Sequence, residues 1–159
     1  MLANPMSERL AAFVRGIGIP VRLVPMTEPT FLPGLDIRRG ELLIDEARLA
    51  YPGDILHEAG HVAVSDPDDR RGDRIDPTPG DEIATIAWSY AALRHLEIAP
   101  EIVFHPDGYK GGSESLIENF SAGRYIGVPL LQLYEMTVEP RFAEARGVDP
   151  YPHMLRWMR

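Results

Sequence analysis

The residues best suited to chemistry in this chain are two histidines and a glutamate in the run HEAGH. His57 and His61 are spaced i and i+4, so on an α-helix they lie one turn apart on the same face and can converge on one metal ion. Glu58 lies about 100° around the helix from His57, beside such an ion. A carboxylate there can take a proton from a water that a metal has made more acidic. The run therefore predicts a zinc site with Glu58 as its catalytic base.

The residues around this run favour a helix with one buried face. Asp54 follows the turn-forming Tyr51-Pro52-Gly53, and we expect its side chain to cap a helix that begins at Ile55. On a helical wheel the apolar residues gather opposite the histidines; they are Ile55, Leu56, Ala59, Val62 and Ala63. In the alternative interpretation the two histidines are only polar surface residues, which fits this asymmetry less well.

The composition is that of an ordinary globular protein and limits the classes of partner. The chain has 159 residues, 45% of them hydrophobic and 25% charged. Its 16 basic and 24 acidic residues give a net charge of −8, which argues against nucleic acid or an anionic membrane surface as the main partner. Because there is no cysteine, any metal must be bound by histidine, carboxylate or water. No secretory signal or bilayer-length apolar run is visible, so a cytoplasmic location is expected.

Upstream of HEAGH, the sequence predicts a helix and a small antiparallel or mixed sheet. Ser7 is expected to cap the helix. A strand is expected within residues 20–25, and residues 34–37 and 41–45 flank a turn and predict a hairpin.

Downstream of HEAGH, most of the predicted elements are helical, so the fold class is α+β. Residues 65–80 are rich in Asp, Pro and Gly and predict a long exposed loop. The clearest helical periodicity follows, over residues 81–97. The remaining predicted elements are a short strand at 101–104, a helix at 113–122 with Ser113 as its cap, a helix at 130–136, and a last helical stretch ending at Trp157.

Two histidines leave a catalytic zinc ion one protein ligand short. A third histidine in the form H-E-x-x-H-x-x-G-x-x-H is excluded, because Val64 and Pro67 occupy the Gly and His positions. A carboxylate in the first turn of the following helix fits better. Glu82 has the reach and helix register, and Asp81, shorter by one methylene group, is the close alternative. His95 is a weaker candidate, since its place near the helix C-terminus is more typical of a residue that stabilises the helix dipole.

The run HEAGH, with a small sheet before it and the acidic, alanine-rich stretch DEIATIAWSYAAL after it, resembles the gluzincins. More narrowly it resembles the ImmA/IrrE-type metallopeptidase domain, over residues 1–97 and, beyond the motif, in arrangement only. The resemblance implies a minimal zincin-like fold in a single domain, 1–159, with residues 98–159 as a C-terminal helical extension. It also implies that the helix after the motif supplies a Glu ligand, here Glu82.

These observations together predict a zinc metallopeptidase that binds one Zn²⁺ per chain and hydrolyses a peptide or protein substrate. The metal ligands would be His57, His61 and Glu82, with Glu58 as general base. The strand Leu42–Asp45 is expected to be a sheet edge to which an extended substrate adds. The alternative is a zinc-binding domain of this kind with a regulatory or interaction role and little catalysis.

Two sets of supporting residues remain open at the level of sequence. Metal-bound histidines usually donate their other ring N–H to an oxygen, and Asp54, Asp66 and Asp81 are all candidates for this role. A second group often stabilises the oxyanion. The possible donors are His105, Tyr109, Arg124, Tyr125 and His153, each of which is more commonly a packing or surface residue, and none is assigned.

Overall fold

The computed structural model describes residues 1–159 and has the α+β architecture that the sequence predicts. Its helices are α1 (Pro5–Gly16), α2 (Asp54–Val64), α3 (Pro67–Arg70), α4 (Pro79–His95), α5 (Pro100–Val103), α6 (Ser113–Ser121), α7 (Val128–Leu133) and α8 (Pro140–Arg146). Its strands are β1 (Val21–Leu23), β2 (Leu35–Arg38) and β3 (Glu41–Ile44). None of the helices combines the length and apolar character that crossing a bilayer requires.

The three strands form one mixed sheet in the order β1-β3-β2. β3 pairs in parallel with β1 and antiparallel with β2. The prediction that Leu42–Asp45 is a sheet edge is therefore wrong, because β3 has a neighbour on both sides. Residues 24–34 carry the chain past β3, which leaves β1 and β2 as the two edges. Burial alternates along β3, in which the side chains of Leu42 and Ile44 are fully buried.

Helix α2 is the central element of the core and packs most extensively against α4. Its predicted apolar face is fully buried, and its two histidines are buried as well. Gly60 lies where the two helices meet. A Cβ atom on Gly60 would lie 2.8 Å from Thr85 Cγ2 and 3.1 Å from Trp88 Cε3, closer than ordinary van der Waals contact. The absence of a side chain at this position therefore lets α4 approach α2.

The loop after α2 is mostly exposed, as expected, but it is not featureless. Asp66 caps the short helix α3, and Arg70 turns back toward the end of α2. The Arg70 guanidinium donates hydrogen bonds to the carbonyl oxygens of Val62, Ser65 and Arg159. These carbonyls have no partner within a helix, so Arg70 satisfies the end of α2 and ties the C-terminal residue to it.

Several local predictions are wrong because a neighbouring residue takes the expected role. Asn4, not Ser7, caps α1. Residues 101–104 were expected to form a strand, but α5 occupies this position, with Pro100 in its first turn. Ser113 does not cap α6, because its hydroxyl donates to the backbone carbonyl of His105. The end of the chain has no helix near Trp157, while α8 was not foreseen.

The C-terminal residues share the hydrophobic core of the helices that carry the predicted site. Trp157 packs edge-on against Phe13 and Trp88, with ring centroids 5.0 and 5.6 Å away. The indole N–H of Trp88 donates to the Trp157 carbonyl, and the Tyr151 hydroxyl donates to the Ala87 carbonyl. The extension thus packs along α4, and the Arg159 backbone N–H also donates to the Ala63 carbonyl of α2.

The close approach of α2 and α4 can be tested at Gly60. We expect Gly60→Ala to lower the free energy of unfolding by about 1–3 kcal/mol, because the added methyl group would overpack the interface. Urea denaturation measures this change. Gly16→Ala is the control, since a Cβ there meets no atom within 4 Å. Equal stability of the two variants would contradict the tight helix contact.

Candidate metal centre

The two histidines of α2 converge as their spacing predicts. Their Nε2 atoms lie 3.1 Å apart, and the rings are nearly perpendicular. Both side chains are buried, at 7% and 8% exposure. Two imidazoles whose ring nitrogens converge in a buried site can share a metal ion, so His57 and His61 could serve as a pair of ligands.

Glu82, in the first turn of α4, completes a triangle with the histidines. Its Oε1 lies 3.3 Å from His57 Nε2, and its Oε2 lies 3.1 Å from His61 Nε2. A tetrahedral ion with bonds of 2.0–2.1 Å would separate its ligand atoms by roughly 3.3 Å. The observed distances match this value. The two neighbouring histidines also hold the pKa of Glu82 well below its usual range, so the carboxylate is in the ionised form that binds metals.

The choice between Glu82 and Asp81 follows from the start of α4. Thr78 caps this helix, and its side chain accepts a hydrogen bond from the Asp81 backbone N–H. The Asp81 carboxylate reaches back to accept from the backbone N–H and hydroxyl of Thr78. This reciprocal capping box occupies the Asp81 side chain. Glu82, one residue further around the helix, is left facing the histidines.

Hydroxyl groups, not carboxylates, contact the Nδ1 atom of each histidine. His57 Nδ1 lies 3.1 Å from the Tyr109 hydroxyl, and His61 Nδ1 lies 3.3 Å from Thr85 Oγ1. Each hydroxyl can accept the Nδ1 proton, which leaves Nε2 free to bind the metal. Thr85 was not foreseen, although it lies one turn after Glu82 on the same helix face. Burial raises the pKa of Tyr109, so its phenol remains protonated.

None of the three aspartates considered for this supporting role forms a hydrogen bond with His57 or His61. Asp66 caps α3 and Asp81 caps α4. Asp54 does not cap α2 either, since Gly53 holds that position without a side-chain hydrogen bond. The Asp54 carboxylate instead lies 2.8 Å from His105 Nε2. Burial raises the pKa of Asp54, against the opposing influence of His105.

The five possible oxyanion donors are distributed unequally around the centre. Tyr109 contacts His57, as described above. His105 is buried in the wall of one adjoining cleft, stacked on Tyr51 with ring centroids 3.8 Å apart. Arg124, Tyr125 and His153 lie outside the clefts that adjoin the three ligands. The third-ligand candidate His95 is also excluded by position, because it packs against Phe13 and Trp157.

Glu58 lies on the open side of the centre. It is the one half-buried residue in the run from Gly53 to Ser65, in which every other side chain is buried. Burial raises its pKa, and the nearby histidines act in the opposite direction. It lines a cleft of about 540 Å³ together with the three ligands. A carboxylate in this place can exchange a proton with a molecule held in the cleft.

The cleft has two arms that meet at the ligands. The first runs past the edge strand β2, where Asp36 and Ile37 line it. The second, of about 490 Å³, runs toward Tyr51 and Asp107. Phe31 and Lys110 line both arms beside His57 and Glu82. The centre is therefore open to a ligand that extends in two directions.

Comparison with known proteins finds no matching family model, curated protein or solved structure. The cluster of His57, His61 and Glu82 is compatible with an H-E-x-x-H site and could hold a metal ion. The assignment of a candidate metal site therefore rests on the types of these three residues and on the distances between their ligand atoms.

The role of the Tyr109 hydroxyl can be measured through zinc affinity. We expect Tyr109→Phe to weaken zinc binding by about tenfold, because His57 loses the hydroxyl that orients its ring. Competition with a chromophoric chelator gives the affinity. Tyr125→Phe is a matched control, since its hydroxyl lies outside both arms of the cleft. An unchanged affinity in Tyr109→Phe would rule out the supporting role.

Proposed function

We propose that this protein is a zinc-dependent metallopeptidase that hydrolyses a peptide bond at the centre formed by His57, His61 and Glu82. The observation that carries the proposal is the convergence of the two histidine Nε2 atoms and the two carboxylate oxygens of Glu82, with contacts of 3.1–3.3 Å, beside a further carboxylate in an open cleft. Two histidines and one carboxylate with an open position are a common set for catalytic zinc.

Each residue has a distinct task in this reaction. A bound zinc ion would acidify a water molecule and polarise the carbonyl of the scissile bond. Glu58 accepts the proton of that water and passes it to the leaving amine. Tyr109 and Thr85 hold the His57 and His61 rings in the orientation that directs Nε2 to the centre. Glu82, anchored at the start of a 17-residue helix, gives the centre a fixed geometry.

The substrate proposed here is an extended peptide. β2 borders the first arm of the cleft and has a strand partner on one side only. A peptide lying beside β2 could pair with the free edge of the strand while passing the metal centre. The proposed docking strand is thus β2 in place of the buried β3. Phe31, with 95% of its surface exposed, offers an apolar contact at the junction of the two arms.

The alternative proposal is a zinc-binding domain with a regulatory or interaction role. Such a domain would need the three ligands but no proton acceptor beside them. Glu58 is the residue that separates the two proposals, because it lines the cleft without belonging to the ligand triangle. Its half-buried carboxylate supports catalysis.

Replacing Glu58 by Gln separates catalysis from metal binding. We expect zinc-loaded Glu58→Gln to cleave peptides at least about 100-fold more slowly than the wild type, because the proton acceptor is lost. Zinc content and unfolding free energy should stay close to wild type. Mass spectrometry of a mixed peptide library measures cleavage.

Glu101→Gln is the matched control, since Glu101 is exposed and lies outside both arms of the cleft. Cleavage by Glu58→Gln at the wild-type rate would refute its role as base. A zinc-loaded wild type that cleaves no peptide would favour the regulatory alternative.

A further inference from the structure

Lys110 is the only lysine in the chain, and it lies at the metal centre. The other basic side chains are arginines and histidines. Lys110 is exposed and lines both arms of the cleft, next to His57 and Glu82. No carboxylate of the protein lies within 4.0 Å of its ammonium group, and it forms no side-chain hydrogen bond. Its positive charge is therefore available to a ligand.

The backbone around Lys110 is held in an unfavourable conformation. Tyr109 and Lys110 both have φ of 54°, in the left-handed region that non-glycine residues rarely adopt. Two such residues in succession cost free energy that the surrounding structure must offset. The Tyr109 hydroxyl contacts His57, which ties this turn to the metal centre. Lys110 is thus placed beside the ligands by the same turn that orients one of them.

The other charges in the cleft are already paired or assigned to the centre. Arg74 is paired with Asp36 at 3.5 Å, a carboxylate that Arg38 also binds. Asp107 is hydrogen-bonded to the Tyr51 hydroxyl. Glu82 contacts the histidines. Lys110 is consequently the unpaired cation among the residues that line the two arms.

We propose that Lys110 binds a carboxylate of the substrate, so that the centre prefers peptides with a negative charge next to the scissile bond. This inference rests on the proposed function, since it needs an occupied metal site to orient the substrate. The carboxylate could belong to an acidic side chain or to the C-terminus of the peptide. An ammonium group beside the centre serves either source, and the apolar ring of Phe31 can pack against the remainder of the same substrate residue.

Metal-chelating probes test this preference without requiring turnover. Four compounds of the form HONH–CO–CH₂–CO–X are suitable, with X as alanine, alanine amide, aspartate α-amide or asparagine amide. The first pair differs only in a C-terminal carboxylate and the second only in a side-chain carboxylate. Isothermal titration calorimetry on the zinc-reconstituted protein gives the dissociation constants.

We expect the charged member of at least one pair to bind the wild type roughly fivefold to tenfold more tightly than its neutral partner. The pair that shows the preference identifies the source of the carboxylate. The preference should disappear in Lys110→Met, remain in Lys110→Arg and weaken as ionic strength rises. Arg124→Met, which removes one positive charge outside both arms, should retain it.

Three results would overturn the inference. One is equal binding of charged and neutral probes to the wild type. Another is a preference that persists in Lys110→Met. The third is an equal loss of affinity for charged and neutral probes in that variant, which would mean that Lys110 supports the binding of any chelator at the centre. If none of the four probes binds the wild type, its zinc content separates the two failures. Absence of zinc refutes the metal centre and with it the proposed function, whereas zinc without probe binding overturns the inference alone.

Discussion

The close packing of α4 against α2 is the constraint on which the candidate centre depends. The histidines are fixed by one helix and the carboxylate by another, so their 3.1–3.3 Å separations hold only while the two helices remain in contact. Gly60 permits this approach from within the HEAGH run itself. The capping box of Thr78 and Asp81 occupies the Asp81 side chain at the start of α4 and leaves Glu82 facing the histidines. The local hydrogen bonds at the start of α4 and the packing of α4 on α2 thus both determine the position of Glu82.

The rest of the fold supports this helix pair from several directions. The sheet covers α2 on one side, and the C-terminal residues cover α4 through Trp157 and Tyr151. The turn at Tyr109 closes over His57 and places Lys110 in the cleft. The centre is therefore built from segments far apart in the chain, with α2 as their common neighbour.

Sequence reasoning succeeded where short-range geometry decides the outcome. The spacing of His57 and His61 requires only a helix, and the position of Glu82 follows from the register of the next helix start. Sequence reasoning failed where a residue distant in the chain takes the expected contact. Asp54 was expected to cap α2, but His105, about fifty residues later, binds its carboxylate. β3 was expected at a sheet edge, but the crossover of residues 24–34 brings β1 to its other side. Neither the His105 contact nor the crossover leaves a local signal in the sequence.

Zinc content by elemental analysis tests the central claim most directly. The measurement compares wild type, Glu82→Ala and Asp81→Ala after reconstitution and removal of free metal. The geometry predicts about one zinc per chain in the wild type and in Asp81→Ala, because Asp81 serves only the helix cap, and a large loss in Glu82→Ala. A wild type without zinc, or a Glu82→Ala variant that retains it fully, would contradict the three-ligand centre.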